Sequence, residues 1–341
     1  MHRTAPAARR DYLLPVPSGP RLARAAVEAA LAFSGIAALA ARGRRGRTLV
    51  LAYHNVVPDD WTAVGDRSLH IAQSRFAAHL ETIIARCDVV PLAALADRDS
   101  DAPGVGHDGA HDDRERRRPR VILTFDDAYH GTLTLGVEAL ARRALPATIF
   151  VPPGLLGNGS FWWDAASGPD GLDAERRAQA LDRGRGVDAD VRRLLAPLPD
   201  GLGEATRPGT AAELAAALTA SPSLTLGAHT WSHANLTRLA PAELADEMTR
   251  PLEWLSTHVD PSRVVPWLTY PYGFESPAVR DAARVARYNG AFRVDGGWLA
   301  AGSRDDRFAL PRLNVPAGMS SRGLGLRLAG LMGSVAARAQ Q

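Results

Sequence analysis

About seven short apolar runs, each ending on polar residues and most followed by a stretch of helical spacing, constrain the fold of this chain more than any other feature. They lie at 48–53 (TLVLAY), 121–125, 147–151 (ATIFV), 224–228, 264–269, 291–294 and 308–315. Nearly continuous apolar character is what a strand buried on both faces requires. Between the runs, Phe76, Leu80, Ile83 and Ile84 recur at helical intervals behind Ser74, a candidate N-cap, and Leu133, Val137 and Leu140 repeat the pattern. A helix over 241–258 aligns Leu244, Met248, Leu252 and Leu255, with Pro251 as a possible kink, and another opens at Pro277. This alternation over roughly 270 residues predicts an α/β chain: an irregular, incompletely closed (β/α) barrel of about seven parallel strands with helices outside.

The barrel is expected to span 48–320, with two interruptions. Residues 97–120 are largely Asp, Gly, His and Arg and read as a solvated, disordered insertion, His107 and His111 included. Residues 155–221 read as a helical insertion that opens on Phe161-Trp162-Trp163-Asp164. Residues 321–341, rich in Gly, Leu and Ala, are expected to form a C-terminal tail, a loose helix. In the N-terminal segment, 1–47, Arg21 and Arg24 precede an apolar stretch interrupted by Glu28 and Gly35, and Arg42 to Arg47 follow it. That stretch is too short and too charged for a bilayer span, so a helix packed on the domain or lying on a membrane surface is expected. The corresponding location is cytoplasmic or the cytoplasmic membrane surface rather than exported.

At 46% hydrophobic residues the chain can bury a full core, and a formal charge of +3 is too small to imply nucleic-acid binding. Cys87 stands alone among Ile83, Ile84, Val89 and Val90. It reads as a small buried hydrophobe, which excludes an internal disulfide and a thiolate metal cluster.

The residues that close the runs carry the chemistry. His54, Asp126, Asp127, His229, Tyr272 and Asp295 follow the C-terminal ends of strands, the rim on which such barrels place active sites. Side chains alternate along a strand, so Asp126 and Asp127 can share a pocket only where the backbone turns. His229 and His233 share a face if a helical turn begins there. One aspartate and two imidazoles leave an open coordination position on a hydrolytic metal, and the second aspartate can serve as a base.

TFDD at 124–127, HTWSH at 229–233 and YPYG at 270–273, in that order after LAYHNV, resemble the polysaccharide deacetylase superfamily, the NodB-homology domain of carbohydrate esterase family 4. The form of the third motif resembles a YPYG-bearing branch, and the likeness extends over about 48–316. It implies metal-dependent removal of an acetyl group from a sugar, with a carbohydrate as partner. Asp127, His229 and His233 would hold one divalent ion, with zinc expected, and Asp126 would be the general base. The backbone N–H near Tyr272 would help the metal stabilise the oxyanion, and Tyr272 and Trp298 would wall the sugar pocket.

Three departures matter. Ala128 stands where the family has glycine. Thr269 stands two residues before Pro271, where the commoner motif has an arginine that supports the base, so that support is expected to be missing. Arg312, in Leu310-Pro311-Arg312, replaces the late histidine that supplies a proton. Arginine is too weak an acid for that task, which leaves it to stabilise an oxyanion or bind an acidic sugar or phosphate. His54 is then the first candidate proton donor and His130 the second. Asp295 could orient a histidine or touch substrate, and Trp162 could stack on a sugar ring. His70, His79 and His258 read as surface or helix-face residues. The alternatives are an O-acetyl esterase or non-sugar amidohydrolase of the same build, and a noncatalytic carbohydrate-binding domain. Oligomeric state is left open.

Overall fold

The computed structural model describes residues 28, 31, 36–98, 118–168, 171–300 and 306–331. In chain order the strands are β1 (Thr48–Tyr53), β2 (Asn55–Val57), β3 (His70–Ala72), β4 (Asp88–Val89), β5 (Arg120–Phe125), β6 (Ala147–Val151), β7 (Leu224–Ala228), β8 (Val264–Thr269), β9 (Gly290–Phe292), β10 (Trp298–Leu299) and β11 (Leu313–Asn314). β1, β5, β6, β7, β8 and β9 run parallel in that order. With β10 at the edge, a path of seven strands curls into a mostly parallel half-barrel, wrapped by helices. Alternate residues divide the core. Leu49, Leu51 and Tyr53 of β1 face the helix layer, whereas Val50 joins Ile122, Phe150, Trp267 and Phe292 in the interior.

The register levels the strand ends. Tyr53 pairs with Phe125, Val151 with Ala228, Ala228 with Leu268, and Thr269 with Phe292. The residues that follow, His54, Asp126, His229 and Arg293, therefore emerge on one rim. The run at 308–315 behaves differently from the rest. Leu310 bridges Phe292 of β9, and then Leu313 and Asn314 pair with Leu51 and Ala52 of β1, so this segment crosses the open side of the half-barrel. Pro311 lacks the N–H a continuous ladder would use, which limits pairing to these short contacts.

The helix Gln73–Arg86 begins one residue before Ser74, whose amide donates to Asp59 Oδ1 at 3.0 Å; Asp59, not Ser74, supplies the terminal acceptor. Cys87 is buried, and burial pushes its thiol up to about 12. The insertion after β6 holds the helices Trp162–Ala165, Ala174–Asp182, Asp188–Leu195 and Ala211–Ala220. It has an apolar cluster of its own, in which Phe161, Trp162, Trp163, Leu181, Val191 and Leu195 surround Tyr129. In the C-terminal segment the helix Ser321–Leu328 buries Leu324 and Leu328 in the main core. Of the N-terminal segment, the helix Ile36–Arg42 is described, and buried Glu28 accepts a hydrogen bond from Ser320 at 2.9 Å. Among the described residues no helix is long and apolar enough to cross a membrane. The expected polar insertion lies almost wholly outside the described residues.

Candidate active site

Asp126 continues the inward side of β5, and the chain then turns sharply. Asp127 and Ala128 both adopt left-handed backbone, at φ 72° and 54°. That turn brings both carboxylates into one buried pocket, and it explains why glycine suits position 128, since a Cβ there costs of order 1 kcal/mol. The two imidazoles converge by a route the sequence did not suggest. No helical turn follows His229; instead Thr230 and His233 are left-handed, at φ 60° and 57°. Glu247, on the helix Pro241–His258, pins this bend by accepting from the amides of Trp231 and Ser232, both at 2.9 Å, and from the Ser232 hydroxyl at 2.6 Å.

Asp127 Oδ1 lies 3.5 Å from His229 Nε2 and 3.3 Å from His233 Nε2, and one donor atom from each residue falls within 4.8 Å of the others. Each ring is oriented from behind. His229 Nδ1 meets the Thr269 carbonyl at 2.8 Å and its hydroxyl at 2.6 Å. A carbonyl only accepts, so Nδ1 carries the proton and Nε2 presents a lone pair. His233 Nδ1 lies 3.1 Å from the Tyr272 hydroxyl, which donates to the His233 carbonyl at 3.2 Å and therefore accepts from Nδ1–H. Burial pushes both imidazoles down, towards their neutral form.

Asp127 Oδ1 is thus a buried oxygen with no hydrogen-bond donor, facing two nitrogen lone pairs. Burial, with the charges of Asp126 and Asp164, drives its carboxyl well above the usual range. A cation bridging the three atoms would relieve both problems, and ligands about 2.0–2.1 Å from a tetrahedral ion stand roughly 3.3–3.4 Å apart. The donor set fits a divalent metal.

Arg312 corrects two expectations at once. Its guanidinium grips Asp126 through both nitrogens, at 2.8 and 2.7 Å, and also donates to Thr124 at 3.1 Å. It is fully buried, with Phe150 and Phe292 at 5.6 and 5.8 Å, so it is sealed away from any acidic sugar or phosphate. The arginine support that seemed lost at Thr269 is present, delivered from the segment that crosses the open side. Burial alone would raise the Asp126 carboxyl; the charge of Arg312, aided by His229 and His54, overrides it and holds the group well below the carboxylate range. Asp126 is therefore ionised.

His54 joins the same electrostatic cluster. Burial pushes its imidazole down to about 4, against the opposing influence of Asp126. His130 turns elsewhere, to Glu213 at 2.9 Å and Arg207 at 3.0 Å. Tyr272 reaches the site, where its hydroxyl holds His233 from behind. Trp298 lies at the opposite rim: it pairs with Leu49 near the start of β1, beneath Arg44. Trp162 is only 1% exposed and packs edge-on to Trp163, because the aromatic run forms the core of the insertion. Asp295 forms an ion pair with Arg293 at 3.0 Å. His70 and His79 are buried; His79 lies on the inner face of the helix Gln73–Arg86, between the Tyr53 hydroxyl and the Met319 carbonyl.

The sequence profile described as polysaccharide deacetylase matches residues 113–291, just over half of the chain. The chain belongs to the polysaccharide deacetylase family. It is accordingly a hydrolase of carbon–nitrogen bonds other than peptide bonds, with sugar deacetylation as its chemistry. No curated protein sequence matches it. Among solved structures, it is similar to the Streptococcus pyogenes deacetylase PplD in complex with acetate, at 14% identity and TM-score 0.54, covering 82% of this chain and 97% of that one. IcaB from Ammonifex degensii is similar at 17% identity and TM-score 0.53, covering 83% and 97% of the respective chains. A de-N-acetylase from Aggregatibacter actinomycetemcomitans matches at 15% identity and TM-score 0.52, over 80% and 96%. At these identities the likeness is one of fold, a curled half-barrel with helices around it.

Proposed function

We propose that this chain is a metal-dependent N-deacetylase acting on an acetylated amino sugar of an oligosaccharide, polysaccharide or glycolipid. One observation carries the reading: the donorless Asp127 Oδ1 faces two imidazole nitrogens whose protons point away. One similar structure is a de-N-acetylase, and another holds acetate, the product such a hydrolysis releases. A divalent ion on Asp127, His229 and His233, zinc by preference for this donor set, would polarise the acetyl carbonyl and acidify the attacking water.

The chain's own groups then divide the proton work. Asp126, ionised and fixed in orientation by Arg312, takes the proton of that water. The same clamp lowers its basicity, so the proton is held only weakly there. His54 is unprotonated at neutral pH and can receive this proton and pass it to the leaving amine. Arg312 donates no proton, because its fork is committed to the carboxylate. O-acetyl esters and non-sugar amides remain substrates for the same residues. The noncatalytic alternative loses its motive once Arg312 supports the base. Exposed Ile36 and Leu39, near Arg42, support peripheral membrane contact, and the location we propose with it is the cytoplasm or the cytoplasmic membrane surface.

The test is acetate release from chitin-like oligosaccharides, capsular polysaccharide, peptidoglycan and lipid-linked N-acetyl sugars, with and without chelator. Chelation and Asp126→Asn are each expected to abolish turnover, while D126N keeps its metal. Normal turnover by D126N would remove Asp126 from the role of base, and turnover insensitive to chelation would remove the metal.

A further inference from the structure

The buried carboxylate of Asp164 has no part in the proton transfers, yet it sits at the centre of a buried network that ends on the His233 ring. Asp164 Oδ1 accepts from the Asp66 amide at 2.8 Å and from His70 Nε2 at 3.0 Å, and Oδ2 accepts from the Tyr129 hydroxyl at 2.8 Å. Each of these is a donor. Asn55 Nδ2 lies 3.0 Å from His70 Nδ1 and donates to the Ala205 carbonyl at 2.8 Å. Turning that amide over would set oxygen against oxygen at Ala205, so His70 accepts at Nδ1 and carries its proton at Nε2. Trp163 Nε1 donates to the Tyr129 hydroxyl at 2.8 Å, which commits the tyrosine proton to Asp164. A carboxyl group surrounded only by donors is an acceptor-only, ionised carboxylate. Among the described residues no cation is paired with Asp164; the one ion-pair contact is the neutral imidazole of His70.

This anion is built in, not incidental. Gly65 turns at φ 74° so closely against it that a Cβ there would meet Asp164 Oδ1 at 2.5 Å. Its neighbours lead to the metal triad. Tyr129 is two residues from Asp127, and the Trp163 ring lies 4.5 Å from that of His233. Asp126 is paired with Arg312, whereas Asp164 has no arginine or lysine partner among the described residues.

We propose that Asp164 is an outer anion of the metal centre, a residue whose buried charge raises affinity for a divalent cation. The helical insertion is then a working part of the site, since it supplies Asp164. This rests on the reading of Asp127, His229 and His233 as a cation site.

The experiment uses the full chain, stripped of metal, and measures zinc affinity by competition with a chromophoric chelator and the visible spectrum of the cobalt-loaded protein. Asp164→Asn preserves shape and removes the charge; it is expected to weaken zinc binding about tenfold or more and to alter the cobalt bands. Tyr129→Phe keeps the charge and removes one donor, and is expected to lower thermal stability while holding affinity within about threefold, below the loss expected when an outer partner is removed. D164N with wild-type affinity and spectrum, whatever its stability, overturns the proposal. If D164N does not fold, Y129F decides: retained affinity supports the charge, and a tenfold loss assigns the effect to ring placement and overturns it. A wild-type chain that binds no divalent cation would instead overturn the reading on which the proposal rests.

Discussion

Replacing Arg312 by methionine isolates the buried pair on which the base depends. The variant keeps an apolar stem between Phe150 and Phe292 and removes both bonds to Asp126, at 2.8 and 2.7 Å. Removing one partner of a buried ion pair leaves the other charge uncompensated, and the expected loss at neutral pH is about 3–5 kcal/mol. The pH dependence gives the sharper signature. In the wild type the folded Asp126 carboxyl lies below its unfolded value of about 3.9. Its stabilising contribution is therefore complete above that value and is lost only as pH falls through the depressed folded value. In R312M burial, the largest influence, is opposed only by His229 and His54 and lifts the carboxyl above its unfolded value, so the folded state gains protons first. Acidification from neutrality towards pH 4 should then stabilise the variant relative to wild type, and the gap between them should close. Urea unfolding of both proteins near pH 7 and near pH 5 reads this directly. A gap that stays constant over that range, or no destabilisation at pH 7, would refute the argument.

Glu247→Ala removes the acceptor that holds the Trp231–Ser232 bend, so zinc affinity should fall about tenfold with a stability loss of about 2 kcal/mol, read by chelator competition and urea unfolding. Trp162→Ala should lower stability by about 3–5 kcal/mol, because the ring is buried core. A raised KM at unchanged stability would restore it as a sugar platform. His54→Gln should slow N-acetyl sugar hydrolysis about a hundredfold but aryl acetate hydrolysis less than about tenfold, because a good leaving group needs no proton. Equal losses on both substrates would exclude His54 as the donor.

The rim was legible because strand ends are legible: an apolar run that stops on Asp126-Asp127 or on His229 declares where its polar residues emerge. What the sequence could not express was convergence across long separations. Arg312 lies 186 residues from Asp126, and the crossing segment, bridged at Leu310 and paired with β1 at Leu313 and Asn314, brings them together. Position 312 reads as a missing acid and Thr269 as a missing arginine, because nothing local in the sequence links Arg312 to Asp126. His70 carries no periodic signal and was read as surface, although a three-residue strand beside β2 buries it against Asp164. Trp162 and Trp298 were assigned to sugar by residue type alone. One turned out to be the core of an insertion, and the other pairs at the far end of β1. The helical reading of HTWSH failed because two left-handed residues and Glu247 bend that segment instead.

Zinc K-edge absorption spectroscopy on the wild type and on a His229→Ala/His233→Ala double variant tests the metal centre most directly. The account predicts one zinc per chain in the wild type, with two imidazole nitrogens and carboxylate oxygen at about 2.0–2.1 Å, and none retained by the double variant. Zinc without imidazole scattering, or zinc bound equally well by the double variant, would contradict it.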